Sequence, residues 1–360
     1  MRRQTEAGRG NPARGLVVKP MISVIIVTYH SERQIAGCLE SLEKESLEKQ
    51  EREVVVVDNA SGDGTAERVR RDFPWVKCMA APHNLGFAGA ANLGVRNSTG
   101  SALLFLNPDT VCLEPLGPLE EVLESHPEAV AVAPQLVDET GKPQVGFNVR
   151  RLPTAASLIF EVLLLNRLFA RNPVNRRYRC LDLDPSKPAE VEQPAGACLL
   201  VRRSSFEDCG GFDEGFYPLW FEDVDLCRRL RQQGGTILYW SQVRVRHQGG
   251  HSLKNLSFSE KQIYWYRNML YYVRKNCSWG TVLGVRAALV CGVGLRMVAE
   301  LVNMLVRRQT PARTGTGMIR AYWDAAKLCF TEWRKPASSY PTATGLAPHL
   351  TDPGRSLSKR

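Results

Sequence analysis

The chain has 360 residues, enough for a full catalytic domain with residues to spare, and its formal net charge of +10 is unevenly distributed. Residues 1–20 carry a net +4, residues 21–255 a net −5, residues 256–335 a net +9 and residues 336–360 a net +2. The mildly acidic central part argues against a nucleic-acid-binding core. The basic flanks favour a surface that faces anionic lipid or phosphate.

Ten cysteines are scattered along the chain without a Cys-x-x-Cys pair. This usage is typical of a reduced, cytosolic protein. Residues 1–20 include four arginines but no apolar stretch long enough for a signal peptide. We therefore expect residues 1–20 to be a disordered basic lead-in and compact structure to begin near Met21.

In the first half of the chain, apolar runs alternate with helical patterns. Strands are predicted at Ile22–Thr28, Val54–Val57 and Leu103–Leu106, and helices follow Ser31 and span Ala66–Phe73. This alternation predicts right-handed βαβ units and an α/β fold, with a doubly wound, mostly parallel sheet that carries helices on both faces. No Gly-x-Gly-x-x-Gly follows the first strand, so the dinucleotide-binding fingerprint is absent.

Polar side chains stand at the ends of two of these strands. Asp58 and Asn59 follow the second strand, and the triplet Asn107-Pro108-Asp109 follows the third. Ligands of open α/β sheets bind outside the carboxyl ends of the strands. There, Asp109 can hold a divalent metal against a diphosphate, and Asp58 can accept a hydrogen bond from a base. Each position alone is also typical of a polar turn, but two on adjacent strands favour a nucleotide pocket.

A glycine-rich segment, residues 83–92, opens a helix between these strand ends. Backbone amides near Gly86 are expected to approach the sugar or the phosphates of a nucleotide. Close packing of a helix on the sheet explains Gly89 and Gly94 equally well.

The second half of the chain carries two acids at the start of a predicted helix within Leu219–Leu230, Glu222 and Asp223. Acids in a first turn also complement the helix dipole. The aromatic residues just before them favour a general base beneath an acceptor hydroxyl, because sugar faces stack on aromatic rings. These aromatic residues are Phe216, Tyr217, Trp220 and Phe221.

His247 follows a predicted strand, Gln242–His247, and precedes two glycines after Gln248. Such a histidine is either an ordinary turn residue or a second protein ligand of the metal at Asp109. Earlier in the chain, Leu158–Phe169 carries an apolar stripe. The stripe is typical of core packing, with a flap against a membrane as the alternative.

An ordered set of motifs across residues 21–255 resembles the family 2 glycosyltransferases of the GT-A fold, in particular their rhamnosyltransferase-like branch. The order is unbroken, which is far more specific than any single motif. The motifs are Val27-Thr28-Tyr29, Val57-Asp58-Asn59, Asn84-Leu85-Gly86-Phe87-Ala88, Asn107-Pro108-Asp109, Gly211-Phe212-Asp213, Phe221-Glu222-Asp223-Val224-Asp225 and His247.

For the donor, the resemblance implies that Thr28 and Asp58 bind the nucleotide base, with Asn59 and Asn84 near the ribose and phosphates. Further nucleotide-sugar contacts are expected from the rest of these segments, at Gly86, Phe87, Asn92 and Asn107.

For the reaction, the resemblance implies that Asp109 holds Mg²⁺ or Mn²⁺ and that His247 completes the metal site. Asn107 stands where the family's Asp-x-Asp has its first acid, which removes one negative charge from the metal site. Asp223 matches the catalytic base, with Glu222 beside it. Trp220 and Phe221 are expected to contact the acceptor.

The implied activity is inverting, metal-assisted transfer of a sugar from a nucleotide-sugar donor at the cytoplasmic face of the cell membrane. The donor most consistent with the branch is dTDP-L-rhamnose, with UDP- and GDP-sugars as alternatives. The acceptor is a lipid-linked saccharide or polysaccharide of the cell surface. A sugar nucleotidyltransferase would normally have a Gly-rich basic loop after the first strand, which 28–33 lacks. A catalytically inactive, membrane-docked partner protein is disfavoured by the intact acids and histidine.

The carboxyl third has a different character. Ser259–Lys275 is predicted to be an amphipathic helix, and its Tyr-x-x-Arg-Asn resembles a segment that follows the catalytic domain in this family. Thr281–Val306 is largely apolar, but its longest uncharged run has nine residues, whereas a membrane span needs about 20. We expect 256–335 to associate peripherally with the membrane and 336–360 to be disordered. The interrupting charges are Arg286, Arg296 and Glu300.

Overall fold

The computed structural model describes residues 22–46, 52–250, 256–306 and 313–331. The predicted lead-in 1–20 and tail 336–360 lie outside the described residues. The strands are β1 (Ile22–Thr28), β2 (Arg52–Asp58), β3 (Lys77–Ala80), β4 (Ala102–Leu106), β5 (Thr110–Cys112), β6 (Ala129–Val137), β7 (Val149–Arg150), β8 (Ala189–Glu190), β9 (Gln193–Pro194), β10 (Cys198–Arg202) and β11 (Thr236–His247).

The helices surround these strands and continue beyond them. They are α1 (Glu32–Ser46), α2 (Thr65–Asp72), α3 (Gly86–Arg96), α4 (Gly117–Ser125), α5 (Ala155–Val162), α6 (Leu165–Leu168), α7 (Pro173–Tyr178), α8 (Arg203–Asp208), α9 (Glu222–Gln232), α10 (Phe258–Asn276), α11 (Trp279–Val306) and α12 (Arg313–Thr331).

The main sheet has the strand order β3-β2-β1-β4-β10-β6-β11-β5 in the described part of the chain, and β8 pairs with β11. Strand β1 is parallel to both β2 and β4, with Thr28 opposite Asp58 and Ile26 opposite Leu106. Strand β10 runs antiparallel between β4 and β6, and β11 is parallel to β6. The predicted mostly parallel α/β fold is confirmed, and the carboxyl ends of β1, β2 and β4 meet at one edge.

Helices cover both faces of this sheet because successive strand residues point to opposite sides. Val24 and Ile26 of β1 pack in the cluster beneath α1 and α4, whereas Ile25 and Val27 pack in the cluster beneath α3 and α9. A Cβ on Gly94 of α3 would lie 2.7 Å from Ile25 Cγ2. The packing explanation for Gly94 is therefore confirmed.

A third apolar cluster joins α10, α11 and α12 to the sheet domain. Its buried members from before residue 255 include Leu158 and Val162 of α5 and Phe216 and Phe221 of the segment before α9. The first half of the predicted apolar stripe is thus core. Its end is not, since Leu168 is 71% and Phe169 65% exposed. The proposed domain boundary at residue 255 stays a prediction, since the cluster draws on both sides of it.

A buried ionic network fixes α10 against α9. Asp225 is fully buried and accepts hydrogen bonds from Lys275 Nζ at 2.9 Å, Arg229 Nε at 2.7 Å and Asn276 Nδ2 at 3.1 Å. Lys275 also binds Asp213 of the Gly-Phe-Asp motif. One carboxylate thus connects the carboxyl-terminal helices to the segment that carries the predicted base.

Two predicted boundaries differ from the structure for a backbone reason. The predicted helix within Leu219–Leu230 begins only at Glu222, because Trp220 and Phe221 have φ of +76° and +72°. A left-handed conformation cannot continue a right-handed helix. The predicted position of Glu222 and Asp223 in a first helical turn is confirmed. The predicted strand before His247 is the end of a 12-residue strand that bends between Trp240 and Arg244.

Candidate active site

The ends of β1 and β2 form a small polar cluster around the Asp58 carboxylate. Thr28 Oγ1 donates to Asp58 Oδ1 at 3.0 Å, and the hydroxyl and the backbone N–H of Ser61 donate to the same carboxylate. Thr28, Asp58 and Ser61 are all buried. The parallel register places Thr28 directly opposite Asp58. The structure therefore brings together the two residues that were predicted to bind the base of the nucleotide.

Asn59 connects this cluster to the start of α3. Its Oδ1 accepts from the Leu85 backbone N–H at 2.7 Å, and its Nδ2 donates to Asn84 Oδ1 at 3.0 Å. Asn84 Oδ1 also accepts from the Gly86 N–H at 2.8 Å. These bonds fix the loop that presents the amino end of α3, as the predicted phosphate-facing role of this segment requires.

Gly86 must be glycine because the segment before α9 packs directly on it. Its φ is +71°, and a Cβ there would lie 2.9 Å from Tyr217 Cδ2 and 3.1 Å from the Pro218 carbonyl oxygen. The Phe87 N–H donates to that same oxygen at 2.7 Å. The predicted donor loop and the predicted acceptor wall are therefore in contact.

Two predicted donor contacts have their side chains engaged elsewhere. The Phe87 ring packs edge-on against Phe212, with centroids 5.6 Å apart. Asn92 binds both backbone groups of Phe212 and the Glu214 carboxylate. Their side chains thus position the 211–214 turn. Asn107, beyond β4, donates its backbone N–H to Ala197 and accepts from the Thr110 hydroxyl at 2.6 Å.

Asp109, three residues beyond β4, and His247, the last residue of β11, lie side by side. Thr110 of β5 pairs with His247 of β11, and the Gln248 N–H donates to the Asp109 carbonyl at 3.1 Å. This pairing puts His247 Nε2 at 3.6 Å from Asp109 Oδ1. The two predicted metal ligands, 138 residues apart in the sequence, are therefore neighbours in space.

Gln144 fixes which nitrogen of His247 faces Asp109. Its amide nitrogen donates to the His247 carbonyl at 2.7 Å, so its amide oxygen lies 3.2 Å from His247 Nδ1. Nδ1 must then carry the proton, and Nε2 turns a lone pair toward the Asp109 carboxylate. Burial lowers the pKa of His247 although Asp109 opposes this, so the ring is neutral near pH 7. Two facing acceptors of this kind suit a bound cation.

The donor set at this site fits a partly protein-held divalent ion. No group of three or more His, Cys, Asp or Glu side chains that could hold a metal occurs in the described residues. A carboxylate oxygen and one imidazole nitrogen leave most coordination positions open. Mg²⁺ and Mn²⁺ sites of transferases are commonly completed by substrate phosphates and water.

The Asp223 carboxylate is held in place by two backbone groups. Oδ2 accepts from the Gly196 N–H at 3.1 Å and Oδ1 from the Val224 N–H at 2.8 Å. Burial raises the pKa of Asp223, although these hydrogen bonds and the charge of Arg150 oppose the rise. The side chain remains half-buried rather than enclosed. A positioned carboxylate with a raised pKa is a better proton acceptor than an ordinary aspartate.

Glu222, next to Asp223 in the sequence, has a different environment. The residue is buried, and its Oε2 has no hydrogen-bond partner. Burial and the neighbouring Asp223 raise the pKa of Glu222 well above its ordinary value. The adjacent acids therefore differ in role, because Asp223 is the better ionised and better oriented of the two.

The sequence did not reveal the segment that joins the metal pair to the base. Residues 144–150, here called the strap, begin at Gln144 on His247 and end in β7, which pairs antiparallel with β9. Phe147 of the strap stacks on His247, with centroids 5.3 Å apart and planes 16° from parallel. The Ala195 N–H donates to Asn148 at 2.8 Å, directly before the Gly196 that holds Asp223.

Helix α10 fixes the aromatic segment before the base. Asn268 is fully buried and donates to the carbonyl oxygens of Leu219 at 2.7 Å and Tyr217 at 3.2 Å. Arg267 donates to Tyr217 as well. The Arg-Asn pair noted in the sequence, Arg267 and Asn268, therefore fixes the backbone of residues 217–219 to α10.

The two predicted acceptor residues differ in their surroundings. Phe221 is 6% exposed, and its ring packs between Trp265 and Tyr272. Trp220 keeps part of its surface exposed.

The sheet and its strand-end groups are those expected of a GT-A glycosyltransferase, and comparisons with known proteins identify the family. The model of glycosyl transferase family 2 matches residues 23–210. The N-acetylglucosaminyl-diphospho-decaprenol L-rhamnosyltransferase of Mycobacterium tuberculosis is 32% identical over 252 residues, which cover 64% of this chain and 77% of that protein. Rhamnosyltransferase WbbL of Escherichia coli is 26% identical over 255 residues, 68% of this chain and 89% of that one.

A solved structure supports the fold. Mannosyltransferase PcManGT from Pyrobaculum calidifontis, in complex with GDP-Man and Mn²⁺, aligns with a TM-score of 0.50 and 17% identity, over 88% of this chain and 89% of that chain. The chain belongs to glycosyl transferase family 2. It is similar to the rhamnosyltransferases of that family, and the sequence-based identification is confirmed.

Proposed function

We propose that this protein is an inverting, metal-assisted rhamnosyltransferase. It transfers L-rhamnose from dTDP-L-rhamnose to a lipid-linked saccharide at the cytoplasmic face of the cell membrane. Both relatives named above are rhamnosyltransferases, and the name of the mycobacterial one specifies a saccharide on a decaprenyl diphosphate. The donor and the acceptor proposed for this chain are inferred from that similarity.

The observation that supports the chemistry best is the geometry of Asp223. Its two carboxylate oxygens are oriented by the Gly196 and Val224 N–H groups, and the strap leads from this position to the Asp109–His247 pair. A single displacement requires an oriented base and a leaving-group site that act on the same substrate from opposite faces, and the strap links the positions of the two sites.

In the proposed reaction, Asp223 takes the proton of an acceptor hydroxyl while that oxygen attacks the anomeric carbon. The bond from the anomeric carbon to the diphosphate breaks on the opposite face, and the nucleoside diphosphate leaves with the electron pair. Thr28, Asp58 and Asn59 hold the nucleoside, and the partly exposed Trp220 faces the acceptor. When bound at Asp109 and His247, Mg²⁺ or Mn²⁺ would neutralise charge on the leaving diphosphate.

A panel of nucleotide sugars tests the assignment of the donor. The full-length protein is incubated with dTDP-L-rhamnose, UDP-glucose, UDP-N-acetylglucosamine and GDP-mannose, and thermal shift and slow donor hydrolysis are measured. The proposal predicts the largest shift and the fastest hydrolysis with dTDP-L-rhamnose. Preference for another donor overturns the rhamnose assignment, and the absence of any response favours the inactive partner protein.

Substitution of the metal pair has a defined expected outcome. Asp109→Ala and His247→Ala should each abolish the increase in nucleotide affinity that Mg²⁺ or Mn²⁺ produces, because each removes one of two protein ligands. Calorimetric titration of dTDP with and without metal measures this. His126→Ala, which removes an imidazole at the C-cap of α4, is the matched control. Full activity of the unaltered protein in excess chelator would contradict the metal assignment.

The membrane contact is proposed to involve the outer face of α11. Within this helix, Trp279–Val302 is long and apolar enough to cross a membrane by length and composition, and 33% of this apolar stretch is buried. The arginines that interrupt this stretch make it less polar on its outer face than the sequence predicts, because they bond within the protein. Arg286 donates to the Cys329 carbonyl and Arg296 to the Val162 carbonyl, so both turn inward. The exposed face consists of Trp279, Leu283, Val290, Leu295, Val298, Leu301 and Val302.

We favour a helix that lies in the membrane surface. Helix α11 packs against α5, α10 and α12, and a helix that packs on a globular part in this way presents only its free face to lipid. The net charge of +9 over residues 256–335 adds about 1 kcal/mol of attraction for each basic residue near an anionic surface.

Vesicle binding checks this contact. The double variant Leu295→Gln and Val298→Gln should bind anionic vesicles about tenfold or more weakly, because two exposed aliphatic side chains no longer enter the lipid. The double variant Trp75→Gln and Leu113→Gln, at exposed apolar positions elsewhere, should bind normally. High salt or alkaline carbonate should release the unaltered protein, and resistance to both would show that α11 spans the membrane.

A further inference from the structure

Arg150 is a cation held at the active site by aromatic rings instead of by carboxylates. Its Nε donates to the Gly146 carbonyl at 2.9 Å. Its guanidinium carbon lies 5.8 Å from the centroid of Phe147 and 5.9 Å from that of Tyr178. This arrangement fixes the plane of the guanidinium and uses one of its five N–H donors.

In the described ranges Arg150 forms no direct ion pair with an acid. Two nearby arginines, in contrast, form ion pairs. Arg151 pairs with Asp182 at 3.6 Å and Glu192 at 3.8 Å, and Arg179 pairs with Glu161 at 3.7 Å. An oriented guanidinium with its outer nitrogens available is suited to a planar, bidentate contact with phosphate.

The place of Arg150 in the strap puts this cation between His247, a predicted metal ligand, and Asp223, the predicted base. Phe147, on which it stacks, is itself stacked on His247. Arg150 pairs with Gln193 of β9, three residues before the Gly196 that binds Asp223. The charge reaches Asp223, since it lowers the pKa of that carboxyl against the effect of burial.

From this geometry we infer that Arg150 binds a phosphate oxygen of a substrate diphosphate, a contact that deepens the proposed function and rests on it. Both substrates of the proposed reaction contain a diphosphate, the donor in its leaving group and the acceptor in its lipid linkage. Phosphate is the shared chemistry, and the position between His247 and Asp223 is within the reach of either substrate. Arg150 thus orients a substrate, whereas Asp223 moves the proton.

Arg150→Gln keeps length and polarity but removes the charge, and Arg150→Lys keeps the charge but removes the planar fork. Arg151→Gln, an adjacent arginine that is already paired, is the matched control. Binding of inorganic pyrophosphate and of dTDP to the full-length protein is measured by titration. The KM for a lipid diphosphate acceptor is compared with that for a neutral glycoside acceptor, and thermal unfolding checks that each variant is folded.

For Arg150→Gln we expect a change of about 10- to 100-fold either in the affinity for pyrophosphate and dTDP, which should fall, or in the KM for the lipid diphosphate acceptor, which should rise. The change should be smaller for Arg150→Lys and absent for Arg151→Gln. Weaker dTDP or pyrophosphate binding identifies the donor diphosphate as the ligand. A higher KM for the lipid diphosphate acceptor alone identifies the acceptor. If folded Arg150→Gln changes none of these constants, the inference is overturned. Because pyrophosphate binding needs no sugar transfer, this test remains valid if the rhamnose assignment fails.

Discussion

Asp223→Asn is expected to lower turnover by about 10²–10⁴-fold while nucleotide binding survives. The substitution keeps the shape of the side chain and one of its two hydrogen bonds from the Gly196 and Val224 N–H groups, since an amide has a single acceptor oxygen. An amide does not take up the proton of the acceptor hydroxyl. Thr28, Asp58 and Asn59, which are proposed to hold the nucleoside, lie at the carboxyl ends of β1 and β2. Titration with dTDP and initial rates of transfer separate the two effects.

Two further variants make this result specific. Glu222→Gln should reduce turnover far less, because Glu222 is buried and its raised pKa favours the neutral acid. Asp208→Asn, at an exposed acid in α8, should change nothing. If Asp223→Asn transfers sugar at a near-normal rate, Asp223 is only a first-turn acid and Glu222 becomes the next candidate.

The pH dependence of turnover should report the ionisation of the Asp223 carboxyl. Burial raises the pKa of Asp223 above its ordinary value of 3.8, and the base works only when it is ionised. Turnover should therefore fall as the pH decreases through this raised pKa, at a higher pH than for an ordinary aspartate. A rate that stays constant down to pH 4 would contradict a raised pKa at the base.

Asp225→Leu is expected to lower the free energy of unfolding by about 3–5 kcal/mol, because the change breaks a buried ionic network. The carboxylate is fully buried and accepts from Lys275, Arg229 and Asn276. Its removal leaves two cations without this partner at the contact between α9 and α10. Chemical denaturation, followed by intrinsic fluorescence, measures the change.

Asp72→Leu is the matched control for this variant. Asp72 also pairs with two arginines, Arg68 at 3.6 Å and Arg71 at 2.7 Å, but it lies on the surface of α2, where such pairs contribute little. Its substitution should leave the denaturation curve nearly unchanged. Equal curves for Asp225→Leu and the unaltered protein would show that the carboxyl-terminal helices do not depend on this network.

The sheet and the strand-end groups could be predicted because their determinants are local. An apolar run that ends at Asp58 or at the Asn-Pro-Asp triplet specifies both a strand and the polar groups at its carboxyl edge. The ordered motifs then related these groups to Glu222, Asp223 and His247. In the structure, Thr28 bonds to Asp58, and His247 faces Asp109, as the motifs indicated.

The strap could not be predicted because its residues acquire their roles through distant pairing. Gln144 and Phe147 lie in an irregular segment, and Arg150 lies in a two-residue strand that is too short to show periodicity. Their partners are His247, 103 residues beyond Gln144, and β9, which pairs with β7. The orientation of Arg286 and Arg296 was hidden for the same reason, since the carbonyls that they bind lie 43 and 134 residues away.

The anomeric configuration of the product tests the account most directly. The full-length protein and its Asp223→Asn variant are given the donor that the nucleotide-sugar panel selects, a lipid-linked acceptor and Mn²⁺, and the glycoside is examined by proton NMR. The account predicts a product whose anomeric configuration is opposite to that of the donor, formed by the unaltered protein and reduced by about 10²–10⁴-fold in the variant. A product that retains the donor's configuration, or equal transfer by both proteins, would contradict it.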